Sequence, residues 1–252
     1  MPRNIIKTKG VVLRNWRMGE TSKLVTLYTQ HHGKVKVTAK GARKIKSKFG
    51  AALESFTEVH AVYYFRDDRE LQTLSECDVI RSGHYLSGAL SRLSYASAAC
   101  ELVDRLTIEH EANKPLYGYL VGVLRALGEI ETDQGECLFW YFQLRLAEAL
   151  GYQPELTHCI ACRSELEGAE LWFSPAMGGG LCANCGVGRG SRVSGSSISF
   201  VRQLQNLPAY SKEALPPTPQ PPGEIRQMLR GFLEFHAGVH GRLRSLEFLE
   251  AI

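Results

Sequence analysis

The chain has 252 residues, of which 44% are apolar and 22% charged, an ordinary composition for a globular protein with room for about two domains. No apolar run approaches the roughly 18 residues that a membrane span needs, which argues against an integral membrane protein. The formal charge of +4 is unevenly spread: residues 1–50 hold 13 Lys or Arg against one acid, Glu20, while the other 202 hold 17 basic and 25 acidic side chains. A basic N-terminal fifth on a mildly acidic remainder suggests a polyanion-binding module joined to something with other work.

The N-terminus, "MPRNIIKTKG", lacks the apolar core and small-residue cleavage site of a secretory signal, so a cytoplasmic location is expected. The first 80 residues read as five short strands: "KTKGVVLRNW", "TSKLVTLYTQ", "GKVKVTAKGA", "TEVHAVYYFR" and "LQTLSECDVI". Turn material separates them, including Met18-Gly19-Glu20, His32-Gly33 and Asp67-Asp68. Five strands in about 80 residues with a long basic connection suit an OB-type barrel. From His84 the period changes to three and four, with Leu86, Ala89, Leu90, Leu93, Ala96, Cys100, Val103 and Leu106 on one helical face. A second helix follows "NKP", where Asn113 can cap and Pro115 suits a first turn. A third, "GECLFWYFQLRLAEALG", is apolar nearly all round and belongs at the centre of a bundle, with Gly151 placed to end it. Two further helical stretches, 197–206 and 223–238, flank a segment containing "LPPTPQPP", which reads as a stiff extended connector.

Two cysteine pairs stand between these helices. "CIAC" at 159–162 and "CANC" at 182–185 are each C-x2-C, with 19 residues between them. Two such turns offer four thiolates, Cys159, Cys162, Cys182 and Cys185, to one tetrahedral structural Zn²⁺ with no position left open for water. The intervening "ELWFSPAMGGGL" predicts a strand and a triple-glycine turn that brings the second pair back. A thioredoxin-like redox pair would need a βαβ setting, which is not present. Cys77, Cys100 and Cys137 fall in apolar patterns and read as core residues.

The stretch "AKGARKIKSK" sits within a larger cationic set: Lys34, Lys36, Lys40, Arg43, Lys44, Lys46 and Lys48, with no acid between Glu20 and Glu54. A charge run is often only a solvated face, but Lys34, Lys36 and Lys40 on one strand face with Arg43–Lys48 beyond would line a path for phosphates, bound in a salt-sensitive and sequence-independent way. Trp16, Tyr28 and Phe49 are candidate stacking surfaces, though each is also a natural core residue. There is no G-x-x-x-x-G-K-[ST], no H-E-x-x-H and no G-x-S-x-G, so no enzyme is expected.

"GETSKLVTLYTQHHGKVKVTAKGARK" followed by "GAALESFTEV" resembles the N-terminal barrel of the RecO family of bacterial recombination mediators. "LGYQPELTHCIAC" leading to "GGGLCANC" resembles that family's zinc module, and "GRLRSLEFL" its C-terminal end. The resemblance implies an N-terminal five-stranded OB-fold barrel and an α-helical C-terminal domain with an embedded zinc-finger-like module. The boundaries expected are 1–82 for the OB-fold, 83–154 and 196–252 for the helical domain, and 155–195 for the zinc module. It further implies binding of single- and double-stranded DNA, annealing of complementary strands and capture of the acidic tail of single-stranded-DNA-binding protein. With RecR, and often RecF, such proteins help RecA onto DNA coated by that protein. The residues alone leave open a different class, a zinc-containing RNA- or DNA-binding accessory protein of transcription or translation.

Overall fold

The computed structural model describes residues 4–208, 219, 221–238 and 243–246. The chain forms two compact units, Met1–Thr132 with Leu243–Ile252, and Asp133–Arg242. Among the described residues, no helix is long and apolar enough to cross a membrane.

In the first unit, β1 (Asn4–Met18), β2 (Ser22–Thr29), β3 (Gly33–Ala39), β4 (Glu58–Phe65) and β5 (Leu71–Arg81) close into a barrel in the order β1-β2-β3-β5-β4. This is the five-stranded OB-type barrel expected. Its neighbours pair antiparallel, except that β3 and β5 run parallel. Period-two alternation sends Val25 and Leu27, Val35 and Val37, and Val59, Ala61 and Tyr63 into one core, joined by Phe49, Ala52 and Leu53 from the connection between β3 and β4. A shift of register at Val12/Arg14 bends the long first strand, which pairs with β4 through its first half and with β2 through its second.

Two helices belong to the same unit, α1 (Leu90–Leu106) and α2 (Lys114–Glu129). Asn113 caps α2 as expected, its side chain accepting the Leu116 N–H at 3.0 Å. The segment between the two helices lies along the start of β3, where the His110 N–H donates to the Lys34 carbonyl at 3.0 Å. Gly33 makes this approach possible. Its φ is +61°, and a Cβ there would stand 2.0 Å from the Glu111 carbonyl oxygen. Gly33→Ala is therefore expected to cost about 1–3 kcal/mol, read as a lower urea midpoint. An unchanged midpoint would mean that the α1–α2 segment is free to move away.

In the second unit, α3 (Gly135–Ala149) is central: twelve of its fifteen residues are buried, as its apolar circumference predicts. Gly151, at φ +85°, follows its end. A small sheet then forms in the order β7-β6-β8 from β6 (Glu170–Ser174), β7 (Gly179–Leu181) and β8 (Ser191–Ser194), with the single-turn α4 (Ala183–Gly186) between β7 and β8. The helices α5 (Gly195–Asn206) and α6 (Gly223–Ala237) pack against α3. The triple glycine differs from expectation. Only Gly178 is in the turn, at φ +84°, whereas Gly179 and Gly180 are strand residues. They are small because a Cβ on Gly179 would meet the Glu155 carbonyl at 2.4 Å and one on Gly180 the Leu166 side chain at 2.4 Å. The proline-rich connector expected around 215–222 lies, apart from Pro219, Pro221 and Pro222, outside the described residues.

Candidate functional site: metal centre and nucleic-acid interface

Two knuckles bring four sulfurs together. In the first, the Glu155 carboxylate accepts the N–H groups of Thr157 at 2.8 Å and His158 at 3.0 Å, setting the entry to the turn. The Cys159 N–H donates to the Ser164 carbonyl at 2.7 Å and the Arg163 N–H returns to Cys159 at 2.8 Å, which closes the turn with Arg163 left-handed at φ +65°. In the second, the Cys185 and Gly186 N–H groups both donate to the Cys182 carbonyl, at 3.1 and 2.9 Å. Gly186 must be glycine here, because a Cβ would stand 2.4 Å from the Trp172 ring.

The ligand atoms of Cys159, Cys162, Cys182 and Cys185 all lie within 4.8 Å of one another, with Cys162 and Cys182 sulfurs 3.7 Å apart. A tetrahedron with metal–sulfur bonds of about 2.3 Å has edges of about 3.8 Å. The four thiols could therefore hold one metal ion with little movement. Their electrostatics fit the same use. The Ser164 hydroxyl and backbone N–H, aided by Cys159 and Cys182, push the Cys162 thiol down to about 6. Hydrogen bonding with Cys182 and Cys162 pushes Cys185 up to about 12. Burial raises Cys159, but backbone groups of Cys182, Cys162 and Ala161 outweigh it and lower that thiol. Thiolates held this close repel one another, and a divalent cation bound among them would relieve that conflict. Cys77, Cys100 and Cys137 are buried elsewhere, and burial pushes all three thiols up, as expected of core residues.

The basic stretch follows β3 and is built from tight turns. Lys44 N–H donates to the Gly41 carbonyl at 3.1 Å and Ser47 N–H to the Lys44 carbonyl at 3.0 Å, with Gly41 at φ +72°. The loop is pinned to the β1–β2 hairpin by Arg43, whose N–H donates to the Thr21 carbonyl at 2.9 Å. Its guanidinium donates to the carbonyls of Gly19 at 3.0 Å and Glu20 at 2.8 Å. Lys40, Arg43, Lys44, Lys46 and Lys48 are all exposed.

Lys34 and Lys36 are placed differently. Lys34 is 8% exposed, donates to the Asp104 backbone carbonyl and lies 3.7 Å from the Asp104 carboxylate. Burial pulls its ammonium below the usual lysine range, with Asp104 and Glu109 opposing. Lys36 pairs with Glu109 at 2.5 Å. Among the stacking candidates, Tyr28 and Phe49 are core residues, whereas Trp16 is 38% exposed with the Arg14 guanidinium 4.6 Å over its ring. Asp104 and Glu109 carry no signal in the sequence, since they reach β3 from about 70 residues away.

The family model described as "Recombination protein O N terminal" matches residues 1–83, and "Recombination protein O C terminal" matches residues 87–247. The DNA repair protein RecO of Pelotomaculum thermopropionicum is 34% identical over 248 residues, spanning 98% of this chain and 94% of its own. That of Anaeromyxobacter sp. (strain K) is 35% identical over 255 residues, spanning 98% and 96%, and that of Symbiobacterium thermophilum 32% identical over 247, spanning 96% of each. The chain belongs to the RecO family. Membership of the RecO family supports a role in DNA repair and recombination and implies DNA binding. The RecO-type N-terminal barrel carries the pinned basic loop, and the RecO-type C-terminal region carries the four-cysteine cluster.

Proposed function

We propose that the protein is a recombination mediator of the cytoplasm that binds single- and double-stranded DNA and anneals complementary strands. With RecR, and with RecF, it helps load RecA onto DNA coated by single-stranded-DNA-binding protein, whose acidic tail it engages. The observation that carries this reading is the acid-free, hydrogen-bonded cationic loop on a closed barrel, in a chain that matches the family over nearly its whole length. Lys40, Arg43, Lys44, Lys46 and Lys48 are the side chains assigned to phosphates, because they are exposed, while Lys34 and Lys36 already face carboxylates. Two polyanionic strands repel, and cations shared between them lower the barrier to their meeting without any covalent step. The protein is therefore read as a non-enzyme. The metal is read as one structural zinc on Cys159, Cys162, Cys182 and Cys185, since four thiolates suit that ion and leave no open position.

Annealing of complementary oligonucleotides coated with single-stranded-DNA-binding protein tests the reading. The protein is expected to accelerate duplex formation without nucleotide, and to do so less well when the binding protein lacks its acidic tail. No acceleration on coated or on bare strands would overturn it.

A further inference from the structure

Ile45 stands in the basic loop between Lys44 and Lys46 and is the most exposed large apolar residue among those described. A single exposed apolar side chain is ordinary on a protein surface. Three features set this one apart. First, the backbone around it is held: a turn from Gly41 to Lys44 precedes it, a turn from Lys44 to Ser47 contains it, and Arg43 fastens the loop to the β1–β2 hairpin. Ile45 is thus fixed out in water and does not fold back onto the barrel. Second, the exposed charged groups flanking it in the loop are all cationic, so its partner must offer an apolar surface within a polyanion. Stacked bases framed by phosphates are that surface. Third, the hairpin that Arg43 grips carries two more exposed large apolar residues, Trp16 and Met18, so apolar surface gathers where the cations do.

We propose that Ile45 is a wedge that inserts between neighbouring bases of a bound strand while Lys44 and Lys46 hold the flanking phosphates. The proposal rests on the DNA-binding reading above and deepens it. A strand whose bases are pried apart presents their pairing edges to a complement, so the wedge serves annealing and not affinity alone. Burial of the isoleucine favours insertion, but unstacking the bases costs about as much, so the net gain in affinity is small. Loss of the wedge should therefore separate affinity from base geometry.

The test uses the full-length protein and oligodeoxynucleotides carrying one 2-aminopurine, whose fluorescence rises when it is unstacked. Wild type is expected to raise the fluorescence on binding. Ile45→Ala should bind within roughly fivefold of wild type, keep the full salt dependence, and lose most of the rise. Ile45→Phe should restore it. Anneal rates should follow the fluorescence and not the affinity. Wild type that binds with a rise left unchanged by Ile45→Ala would overturn the wedge and leave DNA binding standing. Wild type that binds no DNA would overturn both. Binding to phosphatidylglycerol vesicles that Ile45→Ala abolishes, with the DNA signal unchanged, would assign the tip to a membrane surface and overturn the wedge.

Discussion

Replacing Lys44, Lys46 and Lys48 together by alanine is expected to weaken binding to single-stranded DNA roughly tenfold to a hundredfold at physiological salt, whatever the base sequence. The cause is counterion release. Each phosphate neutralised contributes about −0.7 to the slope of log K against log salt on a single strand. Five exposed cations from Lys40 to Lys48 predict a wild-type slope of about −3 to −4, and losing three should flatten it by about two units. Arg43 is left in place because its guanidinium holds the carbonyls of Gly19 and Glu20, so its loss would disturb the loop as well as its charge. Lys36→Ala is the internal control. Glu109 already neutralises that ammonium, so the slope should stay within error of wild type, and stability should change little because the pair is partly exposed. Binding measured across a salt series decides the matter, with circular dichroism to confirm folding. A triple variant that keeps both affinity and slope would show that the loop is only a solvated face.

Much of this architecture was legible in the sequence because its signals are local. The switch from period two to period three and four near His84 separates barrel from helices, and side-chain direction alone produces it. The two C-x2-C turns announce a metal centre for a similar reason, since each knuckle is closed by hydrogen bonds within a few residues. What stayed hidden depends on distant partners. Nothing near Lys34 or Lys36 foretells Asp104 and Glu109, so a run of seven cations reads as one continuous lining although two of them are neutralised. The parallel pairing of β3 with β5 is equally silent, because strand direction leaves no mark on composition. Gly179 and Gly180 look like turn residues until the backbone of Glu155 and the side chain of Leu166 are seen against them. Ile45 reads as a spacer between lysines, and only its exposure on a pinned loop distinguishes it.

Purified protein is expected to hold about one zinc per chain, and replacing Cys159 and Cys162 by serine should remove it and loosen residues 155–195. The three strands of the module are five, three and four residues long, too short to stand alone in water. Metal binding in isolated zinc-finger peptides is worth roughly 10–16 kcal/mol, so its loss here should unfold the knuckles instead of merely weakening them. Limited proteolysis should then cut near the cysteine pairs in the variant and not in wild type. Cys77→Ala should leave zinc unchanged, since that buried thiol lies in β5 of the other compact unit. The barrel has its own closed set of strands and its own core, so DNA affinity and its salt slope should largely survive the double substitution. Acid provides an independent check. Zinc requires thiolates, so protons compete with it; retention should be complete at neutral pH and fail as the pH falls toward about 5. Elemental analysis that finds no zinc in protein prepared without chelator would reject the assignment. Zinc that persists in the double variant would mean that other side chains hold it.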